Sequence, residues 1–318
     1  MSVEEASSPC LPLDILQEVF EYAARVDRQI ALNLVQVSSW AQEWCVLSIL
    51  DDVSSSHYHR VDPILYQVVS LRRESTIRNF LRTIETAKSQ QFFLDHVKSL
   101  CFSVDIHSET DRTVKILAAC ARVTHLTIFF VPTSQIPTHC HPSCHSPERL
   151  GTAVSQLRPT HLSVSFPTIL HGFYPELNLP FYSRLTHLSI INDSTDWTSW
   201  SGFHSLSNLT HLALDVRAEP QPIDPDKASR ICSTVALILR HCTSLRVCVL
   251  LLLFTPDPRQ TRDAIARWQG TEDGRLIFLR ETQPFRDRDA REERVLWDKA
   301  ESAMARQRSS SLSVVIDL

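Results

Sequence analysis

Soft-ligand chemistry is concentrated in one stretch of this chain. His139-Cys140-His141-Pro142-Ser143-Cys144-His145 places five potential metal ligands within seven residues, and Cys140 and Cys144 stand at a spacing found inside zinc sites. A structural zinc needs four converging ligands, usually in two separated pairs, and no second pair of suitable spacing stands near. Pro132, Pro137, Pro142 and Pro147 punctuate the same stretch, which reads as an insertion between repeated elements. No metal and no cofactor is expected.

A second set of imidazoles is spread along the chain but held to one local context. His125, His161, His187 and His211 each sit in a Thr-His-Leu core: Val123-Thr124-His125-Leu126-Thr127-Ile128, Thr160-His161-Leu162-Ser163-Val164, Leu185-Thr186-His187-Leu188-Ser189-Ile190 and Leu209-Thr210-His211-Leu212-Ala213-Leu214. Other catalytic signatures are missing from the sequence. Five glycines leave no Gly-rich phosphate loop, there is no Gly-x-Ser-x-Gly elbow and no His-Glu-x-x-His pair, and the carboxylates are scattered instead of grouped around a His or Ser. A binding protein is expected, not an enzyme.

The elements that must position these histidines follow from the repetition. Val97-Lys98-Ser99-Leu100-Cys101-Phe102 and Leu245-Arg246-Val247-Cys248-Val249-Leu250 keep apolar residues at the same offsets, so the central positions are 100, 126, 162, 188, 212 and 248. Their separations of 26, 36, 26, 24 and 36 centre on the length of a leucine-rich repeat, with two longer insertions. Apolar and polar residues alternate with period two, as expected of a short half-buried strand. Between strands, residues 110–121, 147–157 and 224–241 carry apolar residues three and four apart, with Pro147 and Pro225 where a first helical turn tolerates proline. Strand, helix, strand is the unit, and since no such unit buries its own apolar face, neighbours must stack.

The expected fold class is therefore α/β: an irregular leucine-rich-repeat solenoid with a capping C-terminal helix. Residues 65–71 and 76–87 read as an atypical first strand and helix. Residues 275–279 read as a last strand, and 287–306 as a charged helix whose Val295, Leu296, Ala300 and Met304 cover the open end. Period two then turns Leu126, Leu162, Leu188 and Leu212 inward. It lines up His125, His161, His187 and His211, with Thr127, Ser163, Ser189 and Ala213, on the outward, concave side, where a partner would be read.

Composition bounds the rest. Hydrophobic residues at 43% and charged residues at 21% are ordinary globular usage. The formal charge of −4, with basic residues spread along the chain, excludes a broad nucleic-acid footprint. Nine cysteines without dense regular spacing read as reduced, mostly buried thiols, which expects a reducing compartment, cytoplasmic or nuclear. Met1–Pro9 has no basic segment followed by an apolar one, and the longest apolar run, Val247 to Phe254, is too short to span a bilayer, so neither secretion nor membrane insertion is expected.

The first fifty residues differ in kind. Leu11-Pro12-Leu13-Asp14-Ile15-Leu16 opens a helix, with Pro12 in a first turn and Asp14 and Glu18 near the positive end of its dipole. Ile30, Leu34 and Val37 form the stripe of a second helix, and Trp40 and Trp44 belong to a third. Polar Ser54–His59 reads as a loop, which sets domains at 1–50 and 51–318. The opening Leu11-Pro12 segment, Val19-Phe20, Ala31-Leu32 with Leu34, and Val37-Ser38-Ser39-Trp40 resemble an F-box, and the whole chain resembles the F-box and leucine-rich-repeat proteins of mushroom-forming fungi. That resemblance implies a substrate-receptor subunit of a ubiquitin ligase. Leu11, Pro12, Ile15, Leu32, Leu34 and Val37 would face a Skp-type adaptor bound to a cullin, and the repeats would select a protein substrate. The alternative is a scaffold whose N-terminal helices only cap the array.

Overall fold

The computed structural model describes residues 65–104, 109–128, 147–164, 176–191, 196–217, 223–253, 257–266, 273–281, 290–309 and 315–317, together with positions 22, 26, 63 and 106. The chain divides into two compact units, Met1–Gln67 and Val68–Leu318, whereas composition places the boundary after residue 50. Of the first unit only scattered positions are described. Leu11, Pro12, Ile15, Leu32, Leu34 and Val37 therefore lie outside the described residues, as does the 139–145 His/Cys cluster.

The second unit is built on one open, wholly parallel sheet. Its strands are β1 (Val68–Leu71), β2 (Ser99–Phe102), β3 (His125–Ile128), β4 (His161–Val164), β5 (His187–Ile190), β6 (His211–Arg217), β7 (Val247–Leu253) and β8 (Leu276–Glu281). A short β9 (Val315–Asp317) pairs with β8 at the edge. Spatial order equals chain order, so every connection steps to the next place in the same direction. Leu100, Leu126, Leu162, Leu188, Leu212 and Cys248 are successive register partners, which puts the six central positions of the repeat in a single row.

Helices α1 (Glu74–Thr86), α2 (Gln90–His96), α3 (Thr110–Ala119), α4 (Pro147–Ser155), α5 (Pro225–His241), α6 (Pro258–Ala266) and α7 (Ala290–Ser309) accompany the strands. Local chemistry explains their ends. Ser89 caps α2 by accepting from the Phe92 N–H, and Asp224 caps α5 by accepting from the Asp226 N–H ahead of Pro225 at a first-turn position. Between β5 and β6 two 3-10 turns, Asp196–Ser199 and Phe203–Ser205, replace a longer helix. Gly202 between them adopts φ 92, where any side chain would be strained, and this tight return suits the shortest repeat spacing.

The sheet has two faces, and the first six helices share one of them. In this helix layer α1 packs on α3, α3 on α4 and α5 on α6, while 3-10 turns stand between α4 and α5. Cys248, in the row of central leucines, lies near Cys242 at the end of α5, so that row faces the layer. Ile77, Phe80, Phe93, Ile116, Leu117, Leu150, Ile231 and Val235 are the helices' contribution to this core. Exposed ion pairs Lys115–Glu85 (3.0 Å) and Arg122–Asp95 (2.8 Å) bridge successive units outside it and add little stability.

The last helix corrects an expectation. α7 does not cover the open end of the array; it lies on the other face of the sheet. Leu296, Trp297, Ala300 and Ala303, with Met304 beside them, pack on Ala213, Val247, Val249, Leu251, Leu253, Ile277 and Leu279, while Val295 stays exposed. The cause is β7. All seven of its residues are buried, so its outward side chains require a cover that the short alternating strands do not. Leaving each of those four Val and Leu side chains in water would forgo roughly 1.5–3 kcal/mol.

Candidate functional site

The candidate site is the polar half of the face that α7 shares. His125, His161, His187 and His211 are successive register partners on β3 to β6. Their rings form one stack, with centroids 3.9, 4.1 and 4.2 Å apart and interplanar angles of 18°, 11° and 5°. That spacing is tighter than the strands beneath, about 4.8 Å apart, so the rings lean together. The ladder read from the sequence is thus a packed column of imidazoles.

The threonine before each histidine explains the column. Thr160 N–H, His161 N–H and the Thr160 hydroxyl all reach the Thr124 carbonyl, at 2.9, 2.9 and 3.1 Å. The same trio joins Thr186-His187 to the Thr160 carbonyl and Thr210-His211 to the Thr186 carbonyl, with hydroxyl distances of 3.0 and 3.1 Å. Thr124-His125 joins the Lys98 carbonyl likewise, its hydroxyl at 3.1 Å. Each hydroxyl also meets the Nδ1 of its neighbouring ring, at 3.0, 3.0, 2.9 and 2.8 Å along the column. The threonine therefore staples one strand to the next and aims its histidine at the same time.

Each hydroxyl carries one proton and has two acceptors in reach, so the tautomer of each ring is set by what faces Nε2. At the fourth rung that group is visible. His211 Nε2 lies 3.1 Å from Glu301 Oε1 on α7. With a carboxylate as acceptor, neutral His211 keeps its proton on Nε2 and donates it, and the Thr210 hydroxyl then gives its one proton to Nδ1 and not to the Thr186 carbonyl. Trp297, one turn earlier on α7, stands edge-on to His187 and His211 with centroids 5.3 and 5.5 Å away.

Electrostatics keep the column neutral. Burial first, then the adjacent imidazoles, push His161 and His187 down to about 3, and Arg294 also opposes protonation of His161. His125 is lowered by burial and by Arg294. His211 is lowered by burial, with Arg246 acting the same way and the Glu301 bond acting against both.

The outward row beside the histidines holds another departure. Thr127, Ser163, Ser189 and Ala213 point away from the helix layer, as period two requires, yet all are buried, and His211 is only 6% exposed. This face is therefore not uniformly open. Ser163 Oγ, Ser189 Oγ and Trp297 Nε1 have no hydrogen-bond partner among the described residues. Trp297, Glu301 and Arg294 did not figure among the expected functional residues. The available signal was the wholly apolar run Val247–Leu253, whose outward side chains had to meet some later segment.

The described cysteines are buried in the core. Cys101, Cys120, Cys232, Cys242 and Cys248 are buried, outside any disulfide, and burial raises Cys120 and Cys248 to about 12 and Cys232 and Cys242 to about 11. They act as small core side chains, with the Cys232 and Cys242 thiols donating to the Ile265 and Phe203 carbonyls. Parallel imidazoles send their Nε2 lone pairs side by side and not to one point. Accordingly no group of three or more metal-ligating side chains converges among the described residues. No described helix is long and apolar enough to cross a membrane.

Fold and site together define an open parallel α/β array with a stacked-imidazole face partly covered by its own last helix. The chain matches no family model, no curated protein and no solved structure.

Proposed function

We propose that this protein is the substrate-receptor subunit of a Skp/cullin/F-box ubiquitin ligase, built as an F-box followed by leucine-rich repeats. The observation that carries the reading is the combination of an F-box-like opening, Leu11-Pro12 with Leu32, Leu34 and Val37, with a parallel array whose strand order equals chain order. A strand-per-repeat solenoid has this topology, because each unit can bury its apolar row only against the next. The leucine row in common register and the Thr-His staple fit an irregular leucine-rich repeat.

On this reading Leu11, Pro12, Ile15, Leu32, Leu34 and Val37 dock the adaptor, and the imidazole face belongs to the substrate side. The receptor contributes no side chain to ubiquitin transfer. It acts by proximity, raising the effective concentration of substrate near the charged enzyme. The test is capture of a purified Skp-type adaptor by the full-length chain. The double variant Leu11→Ala, Pro12→Ala should weaken capture by roughly 30-fold, about 2 kcal/mol, as expected for buried interface anchors. Absence of capture at micromolar concentration would leave the alternative, a leucine-rich-repeat scaffold whose N-terminal helices only cap the array.

A further inference from the structure

The imidazole column presents the same ring four times, and the chain itself engages one copy. Glu301 fills the fourth rung, at His211. His125, His161 and His187 present the same Thr-anchored ring, and their Nε2 atoms have no hydrogen-bond partner among the described residues. None of those atoms is among the fully buried unpaired polar atoms, so they keep contact with solvent. At that end of the column stands a cation. Arg294 on α7 is exposed, is close enough to His125 and His161 to oppose their protonation, and forms no ion pair with a described residue.

We propose that His125, His161 and Arg294 form a binding site for a carboxylate side chain of a partner protein, so that this face reads an acidic peptide segment. Glu301 on His211 is the internal example of the contact. A carboxylate at Nε2 selects the Nε2–H tautomer, the preceding threonine turns its hydroxyl to Nδ1, and no proton need be taken up. Arg294 supplies a charge complement, and a guanidinium with a carboxylate makes the stronger, charge-assisted bond. The partner chemistry follows from the donors. An imidazole N–H and the Arg294 guanidinium are both matched by a carboxylate, whereas a basic chain would meet Arg294 with like charge.

The inference rests on the reading of this face as the substrate side, and the two fail separately. Full-length protein is titrated into fluorescein-labelled decaglutamate and, in parallel, decaglutamine, with anisotropy as readout and melting temperature as the folding control. Decaglutamate should bind at least about tenfold more tightly than decaglutamine. Arg294→Ala, on the exposed side of α7, should remove most of that difference, as should His125→Asn with His161→Asn. Arg149→Ala, on the helix layer, should leave it unchanged. Ring nitrogen resonances of His125 and His161 should report the tautomer change on adding decaglutamate. Equal binding of the two peptides, or decaglutamate binding that survives Arg294→Ala, overturns the proposal even if the histidine variant does not fold. Adaptor capture without peptide selectivity keeps the ligase reading and retires this site; peptide selectivity without adaptor capture does the reverse.

Discussion

Trp297 and His211 meet edge to face, 5.5 Å between ring centroids, and Glu301 on the next turn closes on the same histidine at 3.1 Å. One helix thereby reads two features of one rung, its ring and its Nε2 proton, and anchors the last helix to the repeat array. Because Trp297 also belongs to the apolar cluster that holds Ala213 and Leu251, the contact joins the polar and apolar halves of the face.

Trp297→Ala should therefore destabilise the second unit by about 3–5 kcal/mol, the range for emptying a large buried side chain. Trp297→Phe should cost clearly less, since an aromatic edge still meets His187 and His211. Urea unfolding followed by circular dichroism checks both. A loss below about 1 kcal/mol for the alanine variant would mean that α7 is held elsewhere.

Removing a staple tests the repeat itself. Thr186→Val keeps shape but deletes the hydroxyl that bridges the Thr160 carbonyl and His187 Nδ1. The Thr160 carbonyl still receives two N–H groups, so the loss should be about 1–2 kcal/mol. Thr186→Ser, which restores the hydroxyl, should recover most of it. Equal stability of the valine and serine variants in denaturant titrations would make the hydroxyl dispensable.

Acid should unfold the array through the column. His161 and His187 titrate at about 3 when folded, against an ordinary value of about 6.5 when unfolded. A depressed histidine binds fewer protons in the native state, so its contribution is fully present above about pH 6.5 and is lost as pH falls from there toward 3. Burial is the main cause, and the groups facing the column are the neighbouring rings, Arg294, Arg246 and Glu301. The denaturation midpoint should fall steadily from pH 7 to pH 4, with up to about two protons taken up on unfolding. His161→Asn with His187→Asn should flatten that slope. An unchanged slope in the double variant would place the acid sensitivity in other groups.

Buried thiols provide a check on the helix-layer core. Cys120 and Cys248, raised to about 12, should stay unlabelled by iodoacetamide at pH 8 until denaturant is added. Mass spectrometry of digested protein locates the label. Rapid native labelling of either would contradict their burial.

Period-two alternation is a property of neighbouring residues, so the strand positions were legible in the chain alone. The leucine row and the histidine phase came with them, because identical Thr-His-Leu cores paired in parallel can only align like with like. Helix starts at Pro147 and Pro225 were legible for the same local reason. The resting place of α7 was not. Leu296, Ala300 and Met304 announce an apolar stripe, but a stripe does not state which surface it covers, and its partners on β6 to β8 lie far back in the chain. Only tertiary packing decided that β7 needed covering on both faces, that Trp297 and Glu301 would land on His187 and His211, and that half the expected recognition face would be occupied by the protein's own last helix. Contacts ninety residues apart, such as His211 with Glu301, leave no local periodicity to read.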